Sequence, residues 1–422
     1  MQIQYNSRRD PCGKKCGQSE GYEKSKLIHC ADLHLDSRLQ THLDQDRAKR
    51  RRDELLRNFA RLSEYADRNG VEAILIAGDL FDRDTVSALA RNTVLSAIEA
   101  HPQIRYYYLR GNHDIGDCLR TASKRAVPSG GMPERNENNT GSGKNRHTGR
   151  PDNLFLFDSR WRTYAEGTSG NIAISGIELS AETGADAFAA YHADPQKFNI
   201  VMLHGDAGSP GNDRPGTGGG RAVSVSLRTL RGRGIDYLAL GHIHAYREGS
   251  LDARGTYCYP GCLEGRGFDE AGPHGFVLLD IDEGRRAMRR QFIPFARRTL
   301  FSLEVDASGC RTTAGMRERI VKALTAAGCT RHDMADVVLC GEVDVECEKD
   351  TAFLQSDLED RLFFARLTDR TVLSIDPADY LYDESLRGEF VRLVMNDPAV
   401  PEEEKAAVIR CGFRAMDGED PL

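Results

Sequence analysis

Five short apolar runs in this chain end in residue types that bind metal ions. The endings are Asp32-Leu33-His34, Gly78-Asp79, Gly111-Asn112-His113-Asp114, His204-Gly205-Asp206 and Gly241-His242-Ile243-His244. One such ending arises by composition alone, and a lone histidine such as His204 is more often a core or surface residue. Five in series point to one site at the edge of a sheet. Asp32, His34, Asp79, Asn112, His204, His242 and His244 supply seven protein groups, too many for one first-row metal ion and suited to two. With Asp79 bridging, the first ion takes Asp32, His34, Asp79 and His244, and the second takes Asp79, Asn112, His204 and His242. Mixed nitrogen and oxygen ligands without thiolate favour manganese, iron or zinc over calcium or magnesium.

Two divalent ions ~3.5–4 Å apart activate a water molecule at neutral pH and clamp an attacked phosphate, so the expected chemistry is phosphoester hydrolysis. His113 lies one residue beyond Asn112 and is expected to face the substrate. There it would protonate the leaving oxygen or stabilise the charged transition state. Asp114 is expected either to orient that imidazole or to satisfy a loop backbone. Arg83, Arg110 and Arg266 are candidates for phosphate contacts, because guanidinium forks suit phosphate oxygens. Their alternative is a surface salt bridge.

The elements that must position these groups follow from periodicity. Apolar runs at Leu27–Ala31, Ala73–Ala77, Ile104–Leu109, Leu154–Phe157, Ile172–Ser175, Asn199–Leu203 and Asp236–Leu240 read as strands. Leu55, Leu56, Phe59 and Leu62 recur at helical spacing in a charged stretch from Asp44 to Arg68, and a second helix is expected from Thr85 to Glu99. Helices alternating with strands define an α/β fold. In a strand, residues i and i+2 point the same way, so Asp32 with His34, and His242 with His244, are expected to converge at strand ends. The segments Phe276–Ile281 and Arg289–Pro294 read as a closing hairpin. A strand at Leu300–Val305, a helix at Thr313–Ala327, a strand at Asp336–Glu342 and helices at Leu386–Met395 and Glu402–Met416 follow.

Length points to more than one unit, since 422 residues exceed the usual single core. The expected division is a disordered polar leader over 1–25, a catalytic domain over 26–298 and an acidic C-terminal domain over 299–422. A polar, basic insertion at about 120–152 interrupts the catalytic domain, because a stretch of Gly, Pro, Ser, Asn and charge cannot bury a core. The net charge of −7 is unevenly spread: residues 1–300 hold 43 Lys and Arg against 38 Asp and Glu, and residues 301–422 hold 14 against 26. A polyanion suits the first part and is repelled by the second, which reads as a cap or partner-docking region. A plain solvated surface explains the charge equally well. The 11 cysteines are scattered and odd in number, which favours free thiols over disulfides. No apolar stretch nears the ~20 residues of a membrane span, and the polar N-terminus lacks a secretory signal, so a cytoplasmic location is expected.

As a set, these motifs resemble the calcineurin-like metallophosphoesterases. The strings Ala31-Asp32-Leu33-His34-Leu35-Asp36-Ser37, Gly78-Asp79-Leu80-Phe81-Asp82 and Tyr259-Pro260-Gly261-Cys262-Leu263-Glu264-Gly265-Arg266-Gly267-Phe268-Asp269-Glu270 resemble its DNA-repair exonuclease branch, the SbcD- and YhaO-like proteins. The terminal Gly388-Glu389-Phe390-Val391-Arg392 is similar to the same branch. The resemblance implies a four-layer α/β/β/α sandwich with a smaller C-terminal α+β capping domain, manganese dependence and DNA phosphodiester cleavage. It also implies a coiled-coil ATPase partner, and a homodimer is a further expectation. Rival readings are a protein phosphatase or a cyclic-nucleotide or small-molecule phosphodiesterase on the same scaffold, and a non-catalytic scaffold subunit.

Overall fold

The computed structural model describes residues 24–37, 39, 43–82, 86–114, 119, 150–180, 185–208, 223–416 and 418. Most of the expected leader and insertion, and Arg83, lie outside these residues. Lys24 and Ser25, assigned to the leader from their polarity, belong to the first strand. Ser25 is fully buried, and its hydroxyl donates to Glu283 Oε1 at 2.7 Å and Glu72 Oε2 at 3.0 Å. A satisfied polar side chain can enter a core that composition assigns to apolar residues.

In chain order the first half contains β1 (Lys24–Cys30), α1 (Gln45–Arg68), β2 (Ala73–Ala77), α2 (Ala88–Ala100), β3 (Arg105–Leu109), β4 (Leu154–Leu156), β5 (Arg162–Glu166) and β6 (Ile172–Gly176). It continues with α3 (Ala185–Ala189), β7 (Phe198–His204), α4 (Leu227–Leu230), β8 (Tyr237–Gly241), β9 (Arg247–Ser250), β10 (Thr256–Tyr259), β11 (Gly275–Asp282) and β12 (Ala287–Pro294). One six-stranded sheet has the order β12-β11-β1-β2-β3-β4, and a second has the order β5-β6-β7-β8-β10-β9. The strands β1 to β4 run parallel, as do β6, β7, β8 and β10, and the hairpin β11–β12 closes the first sheet antiparallel to β1.

The two sheets pack face to face. Leu27, Leu75 and Tyr107 of the first meet Ile174, Met202 and Ala239 of the second in one buried cluster. The outer face of the first sheet is covered by α1 and α2, through Phe59, Leu62, Val94 and Ile98 against Ile28, Ile76 and Tyr106. Phe188 and Leu230, from α3 and α4, cover the outer face of the second against Val201, Leu238 and Tyr257. The layers are therefore α/β/β/α. Alternate side chains of each parallel strand face opposite covered surfaces, so these strands are apolar throughout. Each fully buried leucine or phenylalanine contributes about 1.5–3 kcal/mol. At its start, α1 is capped by Asp44, which accepts from the Arg47 backbone N–H at 2.8 Å.

The remainder comprises β13 (Leu300–Asp306), α5 (Thr313–Ala327), β14 (Met334–Cys340), β15 (Glu342–Asp344), α6 (Thr351–Arg361), β16 (Phe364–Asp369), β17 (Val372–Ser374), α7 (Leu386–Asn396) and α8 (Glu402–Met416). Its strands β13, β14 and β16 pair in parallel, with α5 and α6 as the crossovers. Strands and helices alternate along β13, β14 and β16, and α7 and α8 follow the last strand. A parallel pair needs a long crossover, and the helices supply it. This part touches the first through Phe268, whose ring stacks on Phe364 at 6.1 Å, and through Arg298, whose guanidinium lies 3.5 Å from the centre of the Phe363 ring. Among the described residues, eight cysteines are free thiols, and no helix is long and apolar enough to cross a membrane.

His29, on β1, is fully buried with Nδ1 2.8 Å from the Tyr237 hydroxyl. Burial pulls its pKa down to about 3. A histidine kept neutral when folded stabilises the protein fully above its unfolded pKa of ~6.5. Below that value the unfolded chain takes up a proton that the folded chain refuses, so stability falls by up to ~1.4 kcal/mol per pH unit. Replacing His29 with Phe should remove this component. In urea unfolding, the stability difference between wild type and variant should shrink by about 2 kcal/mol from about pH 7.5 to about pH 5. A difference that does not change with pH would refute the assignment.

Candidate metal centre

All the ligand-type residues lie at the C-terminal ends of parallel strands. Asp32 and His34 follow β1, Asp79 follows β2, Asn112 and His113 follow β3, His204 ends β7, and His242 and His244 follow β8. The first three strands belong to one sheet and the last two to the other, so the site sits where the two sheet edges meet. The loops after β1 and β2 run side by side, with Asp32 N–H donating to Gly78 O at 3.1 Å and His34 N–H to Asp79 O at 3.0 Å.

The candidate ligands lie at strand ends, but the strand-period argument does not account for their convergence. Asp32, His34, Asp79 and His242 are not in strands. Their φ angles are 52°, 45°, 51° and 107°, in the left-handed region that non-glycine residues seldom occupy. Each such residue costs of order 1–3 kcal/mol, which the surrounding packing must offset. Two glycines allow the sheet edges to approach. A Cβ on Gly241 would lie 1.8 Å from Ala77 O, and one on Gly78 would lie 2.2 Å from His204 Nδ1.

The side chains gather as two overlapping groups. Ligand atoms of Asp32, His34 and His244 lie within 4.8 Å of one another, as do those of Asp32, Asp79 and His204. The Asn112 Oδ1 atom is 2.9 Å from His204 Nε2 and 3.2 Å from His242 Nδ1. Asp79 Oδ2 stands between the groups, 3.3 Å from His204 Nε2 and 3.8 Å from His34 Nε2. All seven expected ligands are thus brought together, with Asp79 in the middle.

Hydrogen-bonding partners test whether divalent cations suit this arrangement. Nδ1 of His204 is 2.9 Å from the carbonyl of Ala77, which can only accept, so Nδ1 carries the proton. Nε2 then presents a lone pair to the Asn112 and Asp79 oxygens, themselves acceptors. Likewise His34 Nδ1 donates to Asp82 Oδ1 at 3.0 Å and His244 Nδ1 to Glu270 Oε1 at 2.6 Å. Their two Nε2 lone pairs consequently face each other at 3.1 Å. Positive charge between the acceptors resolves both conflicts, and a set of two carboxylates, an amide oxygen and four imidazoles, with Asp32, His34, Asp79 and His204 buried, fits two divalent cations. Burial works against a charge on His204, but Asp79 overrides it and raises the pKa to about 9, so this pocket attracts positive charge. Burial is the largest cause lowering the pKa of His34 and His242, which favours the neutral, ligating form.

His113 stands beside the cluster with its side chain half-exposed. Its backbone N–H donates to Asp79 at 2.8 Å, and its Nδ1 is 3.2 Å from Asp82 Oδ1. The hydrogen bond to Asp82 is the largest cause raising its pKa, with burial opposing. Orientation of the imidazole thus falls to Asp82, and not to Asp114. Asp114 is buried and accepts the backbone N–H groups of Leu80 at 3.1 Å, Phe81 at 2.8 Å and Gly111 at 3.0 Å. Of its two expected roles, the structure shows the loop-holding one. Burial, followed by the charge of Asp79, raises its pKa to about 6.

Among the arginine candidates, Arg266 lies in the site, 3.2 Å from His244 Nδ1 and 2.9 Å from Glu270 Oε1. Arg110 is bound to Glu178 through Nε at 3.1 Å and Nη2 at 2.8 Å, so its fork is engaged in the salt bridge considered as its alternative. Sequence reasoning did not single out Asp82 and Glu270, the carboxylates behind His34, His113 and His244. Both lie inside the strings Gly78–Asp82 and Tyr259–Glu270, where an acid near a ligand run was the available signal.

The fold and this constellation together define a candidate site for two divalent cations at the junction of two sheets. A family model for the calcineurin-like phosphoesterases matches residues 25–246, and the chain belongs to that family. It is 28% identical over 269 residues to the uncharacterised metallophosphoesterase YhaO of Bacillus subtilis (strain 168), a match that covers 61% of this chain and 58% of that protein. Among solved structures, TT1561 of Thermus thermophilus aligns with 64% of this chain and 98% of its own, at 8% identity and a TM-score of 0.37. A dimetal phosphatase from Danio rerio aligns with 64% of this chain and 99% of its own, at 11% identity and a TM-score of 0.35.

Glu270 should act by fixing His244 with its Nε2 toward the metal. Glu270→Gln keeps the shape and removes the charge, and should weaken manganese binding ~10–100-fold in calorimetric titration. Unchanged affinity would show that the Glu270–His244 contact is incidental.

Proposed function

We propose that this chain is a two-metal DNA phosphodiesterase, an exonuclease with accompanying endonuclease activity that serves DNA repair. The observation that carries the reading is the convergence of seven ligand side chains beside a half-exposed histidine held by a carboxylate. The preference for DNA rests on the strings 31–37, 78–82 and 259–270, and on the positive balance of residues 1–300. Manganese is the proposed metal, since the donor set mixes imidazole with carboxylate and amide oxygen.

Asp32, His34, Asp79 and His244 would hold one cation, and Asp79, Asn112, His204 and His242 the other. When bound, such cations supply Lewis acidity that lowers the pKa of water and offsets charge on the attacked phosphate. Asp82 accepts the Nδ1 proton of His113, which leaves Nε2 as the atom that faces a leaving oxygen. As the P–O bond breaks, His113 passes its Nε2 proton to that oxygen, and the nearby Asp82 charge stabilises the imidazolium beforehand. Arg266, placed between Glu270, His244 and Asp82, would orient a non-bridging phosphate oxygen at the rim. In this reading residues 299–422 form a cap whose acidic surface docks a coiled-coil ATPase, and a second copy of the chain is a further partner.

Digestion of end-labelled single- and double-stranded DNA with manganese, run beside bis-p-nitrophenyl phosphate and a phosphopeptide, tests the substrate class. DNA cleavage that falls steeply with added salt is expected, because phosphate contacts dominate such binding. Cleavage of the phosphopeptide alone would overturn the nuclease reading. His113→Ala should lower DNA cleavage by at least ~100-fold while bound manganese stays the same by elemental analysis. Near-normal cleavage in that variant would remove His113 from the chemistry.

A further inference from the structure

Away from the metal centre, the C-terminal part forms a half-open cavity of about 550 Å³ between the β15–β17 pair and α8. The helix turns Ala407, Arg410, Cys411 and Arg414 toward it, the i, i+3, i+4, i+7 positions of one face. Lys349 and Arg370 line the other side with Asp344 and Asp369. Four cations therefore meet two carboxylates, in a part of the chain with nearly twice as many acids as bases. Lys349 is compensated by Asp369 at 2.5 Å. Neither Arg370 nor Arg410 has a carboxylate partner among the described residues. Arg370 is exposed, whereas Arg410 is partly withdrawn from solvent.

We propose that this cavity binds a phosphorylated sugar, with the phosphate held between Arg370 and Arg410. Two guanidiniums lining one cavity suit the tetrahedral oxygens of a phosphate monoester, which accept paired N–H donors. A bare phosphate is far smaller than the cavity, whose volume lies in the ~300–1,000 Å³ range of small-molecule sites. The walls also offer Val343, Leu373 and Ala407 to the body of a ligand. No aromatic ring lines the cavity among the described residues, so a stacked base has no platform there, whereas a sugar needs none. The site shares no residue with the metal centre, and its ligand is independent of the substrate proposed above.

Cys411 is exposed on the same helix face, and its alkylation reports on the cavity. The full-length protein, loaded with manganese, would be treated with iodoacetamide and modification of Cys411 followed by mass spectrometry. Ribose 5-phosphate, ribose and inorganic phosphate are the probes, with phosphate release monitored to confirm that the sugar phosphate stays intact. Ribose 5-phosphate should slow alkylation about fivefold or more at millimolar concentration, and ribose should not. Arg410→Gln and Arg370→Gln should each raise the concentration for half-protection about tenfold, the effect of losing one charged hydrogen-bonding pair. Both variants should hydrolyse bis-p-nitrophenyl phosphate at the wild-type rate. Absence of protection at about 10 mM, equal protection by inorganic phosphate, or full protection retained in both variants would overturn the proposal.

Discussion

Lone pairs that face lone pairs are the constraint on which this structure is organised. His204 Nε2 meets the oxygens of Asn112 and Asp79, and His34 Nε2 meets His244 Nε2 at 3.1 Å. Their tautomers are set by partners behind the rings: a carbonyl for His204 and carboxylates for His34 and His244. A relaxed chain would rotate one ring and remove the conflict. Here the rings are buried or pinned, and rotation would leave Ala77 O, Asp82 or Glu270 without its donor, at about 1–3 kcal/mol for each buried group. The fold therefore holds in place a set of acceptors that only positive charge reconciles.

Holding that set requires backbone to be kept in unfavourable conformations, and the rigidity comes from the layers beneath. The left-handed residues after β1, β2 and β8 stand on central strands buried on both faces. The loop bearing Arg266 and Glu270 is secured from another direction. Glu264, at the start of that loop, is buried and accepts from Arg51 Nη1 at 2.8 Å and from Asn58 Nδ2 at 2.6 Å, both on α1. Arg51 also donates to Gly265 O at 2.7 Å, and Arg298 binds Glu54 through Nε at 2.8 Å. Removing one partner from such a buried network leaves an uncompensated charge and costs roughly 3–5 kcal/mol, more than an exposed pair would. Since Arg298 also lies against Phe363, and Phe268 against Phe364, the C-terminal part presses on the segment that carries Glu270. The contact at His244 is thus linked, through one loop, to residues a hundred positions further along the chain.

The sequence disclosed this architecture unevenly. Central strands were legible because burial on both faces leaves an apolar run, as at Ala73–Ala77. The helix at Thr313–Ala327 has the bounds expected of it, and the structure caps it with the Thr312 side chain and ends it at the left-handed Gly328. The short strand β9 is polar and half-exposed, β16 alternates weakly, and neither has a periodic signature. The candidate ligands stood out because each is a His, Asp or Asn at the end of an apolar run. The groups behind them could not, since Asp82 and Glu270 become partners of His34 and His244 only when segments 48 and 26 residues apart in the chain meet. The left-handed turns were equally hidden: a strand-period argument predicts convergence without them, and aspartate and histidine are common in ordinary loops.

Electrostatics decides how an anionic substrate could approach such a site. The oxygens of Asp32, Asp79, Asp82 and Glu270 surround the ligand histidines, and Arg266 is the basic side chain whose charge lies among them. Without metal, four carboxylates against the Arg266 guanidinium and a protonated His204 leave two negative charges, which would repel a phosphodiester in a poorly screened pocket. Two divalent cations, on displacing the His204 proton, would turn that balance into one positive charge. Because Arg266 is already engaged by Glu270 and Asp82, and Arg110 by Glu178, these two arginines are poorly placed to reverse the field by themselves. The same cations that reconcile the facing lone pairs would therefore also be what admits the substrate, so ligand geometry and substrate attraction reduce to one requirement at a single place in the fold.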